Sequence, residues 1–131
     1  MIKNKQLIEA VKNVPIIAEQ EHWVITLDKE EGTLFYSPEK IPKAELHQIT
    51  DEYALYLDKN LKPRGVVVEY FKENFKHHRV FDKLSKELFG GKEEVVVIDP
   101  SSNKRNDKAV TLTALLESLL IKEAGGKLIP A

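Results

Sequence analysis

The side chains best suited to chemistry are four histidines and a polar run that follows Asp99, because cysteine is absent from all 131 residues. Without thiols there are no disulfides, thiolate metal sites or cysteine nucleophiles, and imidazole is left as the natural metal ligand and proton carrier. His77 and His78 are neighbours, so on a helix their side chains diverge by about 100° and do not easily share one ion. No His-x-x-x-His or His-Glu-x-x-His pattern occurs, and a partner such as His47 or Glu73 would have to be brought in by the fold. The expectation is no metal and no cofactor.

Asp99 ends an apolar run and is followed by Pro100, Ser101, Ser102, Asn103, Lys104 and Arg105 ahead of a helical pattern. A carboxylate at the end of a strand, with hydroxyls, an amide and two cations before a helix N-terminus, suits a phosphate or small ligand, helped by His77 or His78. Against that reading, the glycine patterns of phosphate loops and dinucleotide folds are absent, and aspartate is a common turn former. Asp28 and Asp58 pose the same choice between a carboxylate pair and turn chemistry. Each follows a strand-like run and precedes a polar turn, which favours the turn. Ser37, Ser85, Ser101, Ser102 and Ser118 sit in no nucleophile elbow.

These residues are positioned by a clause written twice, Trp23-x-Ile-x-Leu-Asp-Lys and, thirty residues later, Tyr53-x-Leu-x-Leu-Asp-Lys. Each runs on to a glycine, Gly32 or Gly65, and a second apolar run, the pattern of a β-hairpin. The first turn suits a glycine in the left-handed region. Pro38 and Pro42 end the first hairpin, and a kink or bulge is expected where Leu46 and Ile49 fall out of phase before Tyr53.

Leu7, Ile8, Val11 and Val14 predict a short helix that Pro15 ends. Phe71 to Leu88 recur at helical spacing, as one helix or as two joined near His77-His78. Val95-Val96-Val97-Ile98 reads as a strand buried on both faces. Residues 101–108 read as a loop, and Leu112 to Leu120 form a last helix capped by Thr111 or Thr113 and ended by Gly125-Gly126.

The predicted architecture is a single α+β domain spanning residues 1–131. An antiparallel sheet of two hairpins plus the buried strand carries helices mainly on one face. Trp23, Ile25, Leu27, Tyr53, Leu55 and Leu57 should meet the helices. The other face holds Val24, Ala54, Tyr56, Val67 and Phe71, too apolar for open water, and these five are the candidate interface for a second protomer or a protein partner.

Composition excludes little else. No run approaches ~18 apolar residues and no leader pattern begins the chain, so the expected location is cytoplasmic. Residues 17–58 hold ten acidic and three basic residues, a balance of −7, whereas residues 59–86 hold eight basic and three acidic, a balance of +5. With Tyr53, Tyr56, Tyr70, Phe71 and Phe75 interleaved, that second segment could bind nucleic acid, although aromatics on strands are more often core and the acidic half opposes it.

Through Leu27-Asp28, Leu34-Phe35-Tyr36, Leu57-Asp58, Gly65 and Val66-Val67-Val68-Glu69, residues 23–71 resemble a family of small uncharacterised bacterial β-meander domains. The resemblance implies a fold fragment and no catalytic residue. A looser similarity is to the small acidic chaperones of bacterial secretion systems, which pack helices on a hairpin sheet and pair as dimers. The leading expectation is a non-enzymatic protein that binds a partner or itself. Its rivals are a small-ligand site or enzyme at Asp99 and nucleic-acid binding through residues 59–86.

Overall fold

A computed structural model describes residues 3–101 and 107–128. The order is α1 (Asn4–Gln20), β1 (Val24–Asp28), β2 (Thr33–Ser37), β3 (Glu45–Gln48), β4 (Tyr53–Leu57), β5 (Pro63–Val68), α2 (Phe71–Phe75), α3 (Arg79–Phe89), β6 (Val95–Ile98) and α4 (Asp107–Leu128). The strands form one antiparallel sheet in the order β3-β4-β5-β2-β1-β6. This is the α+β plan expected, with one more hairpin than the sequence promised. No helix among the described residues is long and apolar enough to cross a membrane.

Alternation fixes which side of the sheet is wet. Ile25, Leu27, Leu34, Tyr36, Tyr53, Leu55, Leu57, Val66 and Val68 share one face and form a single core with Leu7, Val11 and Val14 of α1, Phe81 and Phe89 of α3, and Leu112, Leu116 and Leu120 of α4. The helices also pack on one another, α4 against both α1 and α3.

Several local expectations are corrected. α1 runs through Pro15 to Gln20. An interior proline costs about 3 kcal/mol, but the buried stripe Leu7, Ala10, Val11, Val14, Ala18 continues across it, and burying each larger member returns roughly 1.5–3 kcal/mol. The kink foreseen before Tyr53 is a tight hairpin between β3 and β4. Thr50 Oγ1 accepts from the backbone N–H of Glu52 (3.2 Å) and Tyr53 (3.1 Å), which reverses the chain within four residues. Of the two alternatives for residues 71–89 the second holds: they are two helices, α2 and α3, parted at Lys76–His78.

β6 is not buried on both faces. Among the described residues it is an edge strand paired with β1 alone, and Val95 and Val97 are 56% and 54% exposed. α4 begins at Asp107, so Thr111 and Thr113 lie inside it. Their hydroxyls donate back to the carbonyls of Asp107 (2.9 Å) and Ala109 (2.8 Å) instead of capping. Gly125 and Gly126 fall within α4 rather than ending it.

The two aspartate-led turns do follow turn chemistry. Asp28 Oδ1 accepts from the Glu31 N–H (3.2 Å), and Asp58 Oδ1 from those of Asn60 (2.8 Å) and Lys62 (3.0 Å). Their glycines differ in role. Gly32 takes the left-handed conformation (φ 70°), as the sequence predicts. Gly65 instead lies inside β5, where an added Cβ would stand 3.0 Å from that of Ser37. The left-handed residue of the second turn is Leu61 (φ 63°), whose side chain packs on the core.

Candidate functional site

The register places two uncharged rows on the helix-free face. One reads Gln48, Ala54, Val67, Phe35, Thr26, Val97 across all six strands, and the other Leu46, Tyr56, Gly65, Ser37, Val24. Val24, Ala54 and Val67 are buried yet stand outside the main core cluster, so their shielding comes from this side of the sheet. Part of it comes from the β2–β3 connector, whose Ile41 δ-methyl would lie 3.8 Å from a Cβ at Gly65, on the side of Tyr56 and Ser37. Tyr56 is half-buried and Leu46 exposed.

Four of the five residues expected on this face are there. Phe71 is the correction, because it begins α2 and is buried in the helix-side core, edge-on to Phe89 at 6.3 Å. The sequence reading missed Phe35, Leu46 and Val97. Strict alternation from Thr33 would have found Phe35. The other two depended on strand pairings that sequence alone does not give.

The two edges of the sheet differ. β3 carries Glu45 and His47, and charge on an edge strand opposes pairing with another chain. β6 is Val95-Val96-Val97-Ile98, without charge, proline or bulge.

Asp99 closes β6 as a turn former. Its Oδ1 accepts from the N–H (2.9 Å) and hydroxyl (2.7 Å) of Ser101. Ser102, Asn103, Lys104 and Arg105 lie outside the described residues. His77 and His78 are exposed where α2 meets α3, His78 edge-on to Phe81 at 6.2 Å, and neither borders the pocket beside Ser101. No group of three or more His, Asp or Glu among the described residues could hold a metal ion.

That pocket, of about 560 Å³, lies between α1 and α4 over the ends of β1 and β2. Trp23 and Tyr36 form its aromatic wall, with rings 5.3 Å apart and nearly perpendicular. The Tyr36 hydroxyl donates to Glu117 Oε2 at 3.2 Å. Burial raises the Glu117 carboxyl above its ordinary range, the tyrosine bond opposing and the charge of Glu19 adding to the shift. Burial likewise pushes the Tyr36 hydroxyl up.

A second cavity of about 480 Å³ has a floor of Leu27, Phe71 and Phe89 and a rim that includes Lys29, Lys72 and Lys86. Two of these cations are engaged: Lys29 Nζ donates to the Gly91 carbonyl (2.6 Å) and Lys86 pairs with Asp82 (2.9 Å). Within the basic segment 59–86, Lys62 and Arg64 both bind Glu21, and Lys76 binds Glu73. Much of its positive charge is spent inside the molecule.

Comparison with protein-family models, with curated proteins and with solved structures finds no match to this chain.

Proposed function

We propose that the chain is a non-enzymatic, self-associating protein that pairs with a second copy of itself edge to edge through β6. The observation that carries this is the uncharged edge strand Val95–Ile98, its two outward valines more than half exposed, at the end of an uncharged row that crosses the whole sheet. An unpaired edge presents free N–H and C=O groups, and proteins that stay monomeric blunt such edges with charge, proline or bulges. β3 is blunted in this way and β6 is not.

Symmetry and charge narrow the register. In an antiparallel pair about a two-fold axis, facing residues share a sheet face only when the axis passes through a residue. With Val96 on the axis, Glu93 would face Asp99 of the other copy, and the like charges repel. With Val97 on the axis, Val96 faces Ile98 and Glu94 faces Pro100, so the acids are kept apart. The joined sheet then presents both helix-free faces on one side, where Tyr56, Phe35 and Leu46 keep open area for protein contact.

Sedimentation across a wide concentration range tests the reading. A monomer–dimer equilibrium is expected, abolished by Val97→Lys and little changed by Leu46→Lys on the far edge. A chain that stays monomeric throughout, or a dimer indifferent to Val97→Lys, contradicts it.

A further inference from the structure

The pocket between α1 and α4 meets the pairing edge only at Pro100 and Ser101, and its chemistry is one-sided. Its lining brings Glu19 of α1 and Glu117 of α4 to one cavity, with no lysine or arginine among the described residues that line it. Among the described residues, neither acid has a lysine or arginine three or four positions away in the chain. Positions three and four away from Glu19 on each side are Pro15, Ile16, His22 and Trp23, and those around Glu117 are Thr113, Ala114, Leu120 and Ile121. Elsewhere the protein does pair its helical acids, Glu73 with Lys76 and Asp82 with Lys86. Tyr36 fixes one oxygen of Glu117 and leaves the other to the cavity.

The rest of the wall is mainly apolar and aromatic, with Trp23, Tyr36, Pro100 and Val110, and adds three polar residues, His22, Ser101 and Thr113. We infer that this pocket binds an organic cation, an alkyl- or arylalkyl-ammonium whose nitrogen sits between Glu19 and Glu117 and whose carbon body lies against the Trp23–Tyr36 wall. A cavity of about 560 Å³ suits a molecule of metabolite size. Glu117 is half-buried and Glu19 exposed; carboxylates hold an ammonium by charge-assisted hydrogen bonds, which the lower local dielectric around Glu117 strengthens.

Trp23 is the chain's single tryptophan and lines this pocket, so its fluorescence can report binding there. The probes are 2-phenylethylamine, its neutral counterpart 2-phenylethanol, and 3-phenylpropionate, titrated against the wild type and the double variant Glu19→Gln with Glu117→Gln. The expected result is a saturable Trp23 response to the amine, at least tenfold weaker for the alcohol, absent for the carboxylate, and at least tenfold weaker in the double variant. Circular dichroism shows that the variant is folded. The inference is overturned if the amine gives no saturable response, if the alcohol or carboxylate binds as tightly, or if a folded double variant binds the amine unchanged.

Discussion

Arg64 grips Glu21 with both ends of its guanidinium, Nη1 to Oε2 at 2.9 Å and Nη2 to Oε1 at 2.7 Å, and so ties the last turn of α1 to β5, 43 residues away. Lys62 adds a third contact at 2.9 Å, and the Trp23 indole N–H donates to the same carboxylate at 3.2 Å. A negative charge at a helix C-terminus is unfavourable by itself, since the helix dipole is negative there. The two cations reverse that, and Glu21 becomes the joint between helix layer and sheet.

The Arg64 hydrogen bonds, more than any other cause, hold the Glu21 carboxyl down at about 2, from an ordinary value of 4.5. A depressed carboxyl contributes stability that is present above its unfolded value and lost as pH falls toward its folded one. Stability should therefore decline between roughly pH 5 and 2 by more in the wild type than in Glu21→Gln. At neutral pH the substitution should cost about 1–2 kcal/mol, the lower part of the range for charged hydrogen bonds because the site is partly solvated. Urea titrations at pH 7 and pH 3 measure both effects.

Glu117 has the opposite sign. Its carboxyl is raised chiefly by burial, so the charged form is the costly one, and its contribution to stability is full below the unfolded value and shrinks as pH rises through the folded one. Glu117→Gln keeps an oxygen for the Tyr36 hydroxyl and removes the charge. Thermal unfolding at pH 7 should show the variant more stable than the wild type, with the gain vanishing near pH 4.

Gly32 tests the first turn. An added Cβ there would meet nothing within 4 Å, so any cost of Gly32→Ala comes from the backbone at φ 70°. A loss of about 1 kcal/mol is expected. Gly65→Ala should also destabilise, but by crowding, with Ser37 Cβ only 3.0 Å away. Combining Gly65→Ala with Ser37→Gly should recover part of that loss, whereas Gly32→Ala should gain nothing from the second change.

Legibility in the sequence followed the range of the interactions. Trp23, Ile25, Leu27 and their second copies Tyr53, Leu55 and Leu57 could be assigned to the helix side because a strand's period of two is local. The turn roles of Asp28 and Asp58 were equally local. Pro15 misled because α1 gains its stability from a buried stripe, a tertiary effect that outweighs one proline. The doubled clause aligns Gly65 with Gly32 without saying which residue of the longer second turn is left-handed; that conformation falls to Leu61, whose side chain packs on the core. Val95–Ile98 has the composition of a central strand, and only the pairing order puts it at the edge.

The candidate site was half legible for the same reason. Val24, Ala54, Tyr56 and Val67 followed from alternation, but their continuation to Leu46 and Val97 depended on how β3 and β6 were placed. The Glu19–Glu117 pocket gave no local signal. Its two carboxylates are 98 residues apart, and their meeting depends on α1 and α4 packing together.

Edge pairing through β6 is tested most directly by amide hydrogen exchange at low and high protein concentration. The prediction is that Val95–Ile98 gain protection as concentration rises, that the β3 amides at the opposite edge do not, and that Val97→Lys removes the gain. Protection at β6 that is independent of concentration, or a gain at β3 instead, would contradict it.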